Sequence, residues 1–321
     1  MRILIIDEVH PSLFPMLESI GMEADYRPNI KPAEVRQALE DFDGLLVRSK
    51  MRITAETLEL ASRLKFIARA GAGVDNIDVP TLEERGVALL AANEGNSQAV
   101  GEFTTGLLLA LLRNIPRSNQ QVQNKVWLRE ENRGEEVSGQ TIGIIGFGNM
   151  GQSFARVLSG FGCRIIAYER FAPEKIQAPA EQVTLEQLQA EADVVSLHIP
   201  YIVDNLGFAG DEFFQRFSKR IWFLNTSRGD VVDQAALVRH LQSGRIKGAV
   251  LDVLENEKLS TLTAQQQEHF NYLASAENVL LTPHIAGWTH ESYIRINEVL
   301  VTKIRQLLNR YLDAENAGLL H

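Results

Sequence analysis

Cysteine is nearly missing from this chain: Cys163 is the only one in 321 residues. An internal disulfide is therefore excluded, and a reducing, cytoplasmic compartment is the simplest setting. Long apolar runs are missing as well. Even the most apolar stretch, around Leu107–Leu112, falls far short of the roughly 20 residues that cross a bilayer. At the N-terminus, Ile3-Leu4-Ile5-Ile6 meets Asp7, too early for the apolar segment of a secretory leader. Basic residues are the minority, 32 Lys and Arg against 41 Asp and Glu, for a net charge of −9. That balance argues against a general nucleic-acid or anionic-membrane binder, although a local basic pocket for a small acidic substrate remains open. No His/Cys cluster has metal-ligand spacing, so no metal is expected. What is present is ordinary: 45% apolar and 23% charged residues mark a globular chain, and its length suggests two domains at about 150 residues each.

Short apolar runs alternate with amphipathic ones. Strand patterns occur at Arg2–Asp7, Asp43–Arg48, Phe66–Ala70 and Val87–Ala91, with helical patterns at Pro11–Ile20, Ala55–Ser62 and Val79–Arg85. A long helical stretch, 96–126, follows, with Pro116 as its expected break. Its run Leu107–Leu112 is apolar all round and should be covered on several sides, by an interdomain or a subunit contact, the former favoured. A second series then opens at Gly139. Strands are expected at Thr141–Ile145, Arg164–Tyr168, Val194–His198, Ile221–Asn225, Gly248–Leu251 and Asn278–Leu281, and helices at Met150–Ser159 and Gln234–Gln242. Glu255–Ala276 reads as a surface loop with a short helix. A final helix, Glu291–Leu312, precedes a short polar tail. The alternation predicts an α/β protein with parallel sheets covered by helices on both faces. Such folds place functional loops beyond the C-terminal ends of their strands.

Gly146-Phe147-Gly148-Asn149-Met150-Gly151 follows an apolar strand and opens a helix. The first glycine permits a tight turn, the second lets backbone amides approach a pyrophosphate, and the third lets helix pack on strand. The helix N-terminus adds N–H groups and a positive dipole. The next strand ends in Glu169, where a carboxylate meets ribose hydroxyls and repels a 2′-phosphate. NAD is thus favoured over NADP, with the neighbouring Arg170 pointing the other way.

Three further motifs lie at predicted strand ends: Asn225-Thr226-Ser227-Arg228-Gly229-Asp230, Leu251-Asp252-Val253 leading to Glu255-Asn256-Glu257, and Thr282-Pro283-His284-Ile285-Ala286-Gly287. An arginine, a carboxylate and a histidine converging there suffice for redox chemistry on a 2-hydroxy acid. As hydride leaves C2 a proton leaves the hydroxyl, and histidine is a base of suitable pKa. A carboxylate on the far imidazole nitrogen fixes its tautomer. A guanidinium can hold the substrate carboxylate and polarise the keto oxygen.

Taken with Gly71-Ala72-Gly73-Val74-Asp75-Asn76-Ile77-Asp78 and Ser196-Leu197-His198-Ile199-Pro200, these stretches resemble the D-isomer-specific 2-hydroxyacid dehydrogenase family over nearly the whole chain. Val47-Arg48-Ser49-Lys50, with the Gly71-Ala72-Gly73-Val74-Asp75-Asn76 segment, is most similar to its phosphoglycerate-oxidising branch. The resemblance implies two doubly wound domains with a cleft between them: residues 1–95 plus 288–321 as the substrate-binding domain, and 96–287 as the NAD-binding Rossmann domain. It implies Arg228, Glu257 and His284 as catalytic residues. Gly146, Gly148, Asn149, Met150, Gly151, Glu169, His198, Thr226, Ser227, Asp252 and Gly287 would face NAD. Amides of Ala72, Gly73 and Val74 would hold the substrate carboxylate, and Arg48 and Ser49, with Lys50 or Arg52, its distal group. Arg69 is a further candidate for a phosphate pocket. The partners implied are a small 2-hydroxy or 2-keto acid and a second copy of the chain, with no nucleic acid, membrane or metal.

The chain departs from the family pattern at several positions. Lys258 replaces the usual Pro after the catalytic Glu, which leaves Glu255 as a second candidate partner for His284. Glu169 replaces the commoner Asp, Gly101 an Ala, Met51 and Asn205 a Thr. No room is expected for a C-terminal regulatory or extra dimerisation domain. A glyoxylate/hydroxypyruvate-type reductase and a non-catalytic NAD-sensing interaction protein are the alternative readings. Trp127 is expected to be a packing anchor, Cys163 a small core residue, and His10 and His290 solvated.

Overall fold

The computed structural model describes residues 1–316, so the last five residues of the polar tail expected after Leu312 lie outside the described residues. The chain divides into two compact units, Met1–Asn96 with the segment from Trp288 onward, and Ser97–Gly287.

In the first unit the elements run β1 (Arg2–Ile5), α1 (Leu13–Glu18), β2 (Glu23–Tyr26), α2 (Pro32–Ala38), β3 (Gly44–Val47), β4 (Phe66–Arg69), α3 (Val79–Glu84) and β5 (Ala88–Ala91). All strands are parallel, in the order β2-β1-β3-β4-β5. Ile3, Leu4 and Ile5 are fully buried because helices cover both faces of the sheet. The long helix His290–Asn316 packs Leu300, Val301 and Ile304 with Leu13 and Leu17 of α1. It runs four residues past the expected end, since Asp313-Ala314-Glu315-Asn316 contains no helix breaker. Ala55–Ser62, expected to be a helix, is a series of turns. Thr54 and Thr57 bond each other's backbone N–H groups through their hydroxyls, offering the chain an alternative to helix. The polar edge strand β2 and the helix α2 carry too little apolar periodicity to stand out in the sequence.

The second unit begins with α4 (Ser97–Leu112) and α5 (Ile115–Gln123). The break falls at Asn114, in the left-handed region at φ 52°, and Pro116 sits in the first turn of α5. Then come β6 (Thr141–Ile145), α6 (Asn149–Leu158), β7 (Arg164–Tyr168), β8 (Glu181–Gln182), α7 (Leu185–Glu191), β9 (Val194–Leu197), α8 (Asp211–Gln215), β10 (Ile221–Asn225), α9 (Gln234–Gln242), β11 (Ile246–Leu251), α10 (Ala264–Ser275) and β12 (Val279–Leu281). The parallel order β12-β11-β10-β9-β6-β7-β8 reverses direction between β6 and β9. Crevices at such a reversal are where open α/β sheets bind ligands.

Phe213, Phe214, Phe217 and Phe223 interlock edge to face beneath this sheet. Burial of each contributes about 1.5–3 kcal/mol. The apolar run of α4 is not equally covered on all sides: Leu108, Leu111 and Leu112 are buried, Leu107 and Leu109 only half so. Gly101 has a packing reason. A Cβ there would lie 2.6 Å from Ser153 Oγ of α6. Trp127 is not a packing anchor, being 81% exposed beyond the end of α5. Cys163 is half-buried at the rim of the core rather than within it. No helix among the described residues is long and apolar enough to cross a membrane.

Candidate active site

The glycine loop joins β6 to α6 at the reversal of the second sheet. Gly146 adopts φ +90°, and a Cβ there would sit 2.5 Å from the His198 carbonyl at the end of β9. A Cβ on Gly151 would sit 2.2 Å from the Gly146 carbonyl. Gly148 faces open space, and Gly148 and Asn149 are exposed at the loop tip. Helices α7, α9 and α10 are capped by Thr184, Asp233 and Thr263 side chains, whereas α6 has no side-chain cap. Its leading N–H groups, and a cradle whose shape depends on missing Cβ atoms, suit a pyrophosphate.

Glu169 braces this loop. Its carboxylate accepts from the Phe147 N–H at 2.8 Å and the Phe171 N–H at 3.0 Å. Beside it, Ile145, Tyr168, Phe171, Ile199, Pro200 and Phe208 line a small, mainly apolar cleft fit for a flat ring. Arg170 turns to Asp204, 3.6 Å away, and lies over the Phe171 ring. His198 is buried against Phe154, with Nε2 2.9 Å from Ser196 Oγ and Nδ1 lacking a partner among the described residues. Burial pushes its pKa down to about 4, so it is neutral at pH 7. A buried nitrogen without a partner beside the glycine loop is an unfilled hydrogen-bonding position.

Strands β10, β11 and β12 are neighbours, so their C-terminal loops are adjacent. The fully buried Asn225 organises the first of these. Its Oδ1 accepts from the Ser227 N–H and hydroxyl, and its Nδ2 donates to the Arg228 carbonyl. The Thr226 hydroxyl meets that of Thr104 at 3.1 Å. A Cβ on Gly229 would lie 1.9 Å from the Leu254 carbonyl, so the Arg228 loop lies directly against the loop that carries Glu255 and Glu257.

Asp252, 1% exposed, ties the second loop to the third. Its carboxylate accepts from the Thr282 hydroxyl (2.6 Å) and from the Ile285 and Ala286 N–H groups (3.0 and 2.9 Å). Its carbonyl accepts from the His284 N–H at 2.8 Å. These bonds hold His284 at φ 55°, a conformation costly for a residue with a Cβ and characteristic of functional sites. The imidazole Nδ1 then lies 2.9 and 3.1 Å from the two oxygens of Glu257. Glu255 instead accepts from Gln266. The pair is half-exposed, open to a substrate.

In the first unit, Arg48 and Ser49 follow β3, beside β1. The N–H groups of Arg48, Ser49 and Lys50 all donate to the buried Asp7 carboxylate, at 2.7, 3.3 and 3.1 Å. Asn76 donates to the carbonyls of Arg48 and Met51. Ala72, Gly73 and Val74 form a half-exposed loop beyond β4. Lys50 Nζ turns to the Pro28 carbonyl. His10, expected to be solvated, is half-buried, edge-on to Tyr293 and bonded to Ser12; His290 is exposed. Sequence reasoning missed the roles of Asp7 and Gln266, and named Asn225 only as part of its motif. Each is a polar residue at a strand or helix end whose task is to hold a loop, a task without a spacing signature.

A sequence profile of the NAD-binding domain of D-isomer specific 2-hydroxyacid dehydrogenases matches residues 105–286. The chain is 33% identical over 322 residues to D-3-phosphoglycerate dehydrogenase of Methanocaldococcus jannaschii, covering 98% of this chain and 59% of that protein. It thus spans little more than half the length of such relatives. It is 36% identical over 276 residues to hydroxypyruvate reductase of Thermotoga maritima, covering 86% of this chain and 88% of that protein. Among solved structures, the TT0316 protein of Thermus thermophilus superposes with a TM-score of 0.79 at 31% identity, covering 94% of each chain.

Proposed function

The chain belongs to the D-isomer specific 2-hydroxyacid dehydrogenase family, and from that premise we propose that it is an NAD-dependent oxidoreductase acting at C2 of a D-2-hydroxy acid, with 3-phosphoglycerate and 3-phosphohydroxypyruvate as its pair. The observation that carries this reading is the His284–Glu257 pair, 2.9 Å apart, at the strand ends of a unit whose glycine loop is shaped for a dinucleotide.

NAD would be held by Gly146, Gly148, Asn149, Met150 and Gly151 at its pyrophosphate and by Glu169 at its ribose, with His198, Thr226, Ser227, Asp252 and Gly287 along its nicotinamide half. When bound, the nicotinamide would accept or supply the hydride. The chain's own residues handle the proton and the substrate. With Nδ1 committed to Glu257, His284 keeps Nε2 for the substrate hydroxyl. Glu257 stabilises the imidazolium formed on proton uptake and fixes the ring. In the reductive direction the same Nε2 returns its proton to the carbonyl oxygen. Arg228 orients the substrate carboxylate and polarises the carbonyl. The amides of Ala72, Gly73 and Val74 hold that carboxylate, and Arg48 and Ser49 take the distal group. Asp252 supports this chemistry by holding the His284 loop in its left-handed turn.

The residue assignment divides along the two units: 1–95 with 288–321 for the substrate, 96–287 for NAD. A homodimer is part of the proposal, supported by the exposed Ile115, Val122, Val126, Trp127 and Leu128. So is a cytoplasmic location, supported by the lone half-buried thiol. A hydroxypyruvate- or glyoxylate-reducing activity is the second reading, favoured by the near full-length match to the Thermotoga reductase. NADH oxidation assayed against phosphohydroxypyruvate, hydroxypyruvate, glyoxylate and pyruvate decides. The proposal expects phosphohydroxypyruvate to give the highest kcat/KM. Preference for an unphosphorylated acid supports the second reading, and NADH binding without turnover of any acid overturns both.

A further inference from the structure

Arg48 is held in an unusual way. Its backbone is pinned by Asp7, while its guanidinium carbon lies 3.9 Å from the centre of the Trp288 ring and 5.7 Å from that of Tyr293. The two rings pack at 5.6 Å, and the Tyr293 hydroxyl donates to the Glu8 carbonyl at 3.0 Å, which fixes the second ring. Trp288 is 55% exposed. The Asp7 carboxylate is already taken up by three backbone N–H groups, and no ion pair to Arg48 occurs among the described residues. Burial lowers the pKa of this guanidinium from the usual arginine value. The guanidinium also hydrogen-bonds the Tyr293 hydroxyl. A half-buried cation over the Trp288 ring, with no ion-pair partner among the described residues, keeps its remaining in-plane N–H donors to recognise an anion.

We propose that Trp288 is a specificity-determining positioning residue: its indole holds the Arg48 guanidinium flat, so that the open edge receives the oxyanion at the distal end of the substrate. This rests on the 2-hydroxyacid reading above and narrows it to acids carrying a second anionic group, phosphate or carboxylate. An indole on one face blocks out-of-plane approach and removes rotamers that Arg48 would otherwise sample. The anion is therefore met by a preorganised fork.

The test uses the full-length chain. NADH oxidation is measured with phosphohydroxypyruvate, 2-oxoglutarate and hydroxypyruvate for the wild type, Trp288→Ala and Trp288→Phe. The ratio of kcat/KM for the better dianionic acid over hydroxypyruvate should fall about tenfold in Trp288→Ala, through KM, and recover in Trp288→Phe. Which dianionic acid leads tells phosphate from carboxylate. An unchanged ratio in Trp288→Ala overturns the proposal. A second arm does not depend on turnover: 3-phosphoglycerate and 2-oxoglutarate are titrated while tryptophan fluorescence is followed. Quenching that is present in the wild type and in Trp127→Phe but lost in Trp288→Phe supports the proposal. Quenching that survives in Trp288→Phe, or is absent from the wild type with both acids, overturns it. Absence of NADH oxidation with every acid is a failure of the parent reading alone, and the fluorescence arm then decides this one.

Discussion

The two units share one architecture and treat its reversal point in opposite ways. In the first sheet the order reverses beside β1, and the loop after β1 carries Asp7, whose carboxylate fills the backbone N–H groups of Arg48, Ser49 and Lys50. In the second sheet the order reverses beside β6, and the loop there is Gly146–Gly151, with an uncapped helix behind it, Gly148 facing open space and one N–H, that of Phe147, donated to Glu169. At the first reversal an internal carboxylate takes up three successive N–H groups; at the second an internal carboxylate takes, among the described residues, only the Phe147 N–H of the loop, and the start of α6 carries no side-chain cap. Both sheets have a reversal of strand order, and the residues after the first strand of each sheet decide what its loop can bind.

The largest expected effect lies in the second unit. His284→Ala should lower turnover by about 10²–10⁴-fold while NADH binding, followed by fluorescence titration, persists. Unchanged turnover would remove His284 from its role and leave only the dinucleotide cradle separating the two units. In the first unit the internal carboxylate should matter for stability. Asp7→Ala leaves three N–H groups without their acceptor and should cost about 2–4 kcal/mol in chemical denaturation. No loss would mean that this reversal point is not filled in the sense argued.

Glu169→Ala should shift the kcat/KM ratio of NAD over NADP toward NADP by about tenfold, the scale of one charge contact near the surface. No shift would mean that the carboxylate only braces the Phe147 and Phe171 N–H groups. The effect confined to acid pH is that of His198. Its folded pKa, about 4, lies below the ordinary value of 6.5, so protonation favours the unfolded chain. Its contribution is fully present above pH 6.5 and lost as pH falls toward 4, up to about 3 kcal/mol. The stability gap between wild type and His198→Phe should therefore shift against the wild type over that window. A gap constant with pH would contradict the assigned burial.

Much of this was readable from the residues. Buried parallel strands such as Ile3-Leu4-Ile5 and Thr141–Ile145 carry continuous apolar runs, and the glycine loop carries its own spacing. The helix expected over Ala55–Ser62 failed because apolar spacing does not register hydroxyls that compete for the backbone, as Thr54 and Thr57 do. Trp127 misled because size suggests burial, while α5 leaves that segment outside the core of its own unit. At the site, residue types and order pointed to an arginine, a carboxylate and a histidine, and the resemblance pointed to Glu257, but spacing alone did not choose between Glu255 and Glu257 as the neighbour of His284. That choice depends on Gln266, eleven residues beyond Glu255, drawing Glu255 aside. Asp7 and Trp288 were silent for a related reason: their partners, Arg48 to Lys50 in one case and Arg48 in the other, are distant in the chain.

The central claim, that the open reversal point and the His284–Glu257 pair together carry out hydride transfer at C2, is tested most directly with NADH deuterated at C4. After incubation with the preferred keto acid, the account predicts a D-configured 2-hydroxy acid with deuterium at C2. Bound NADH that yields no deuterated product, or product of the L configuration, would contradict it.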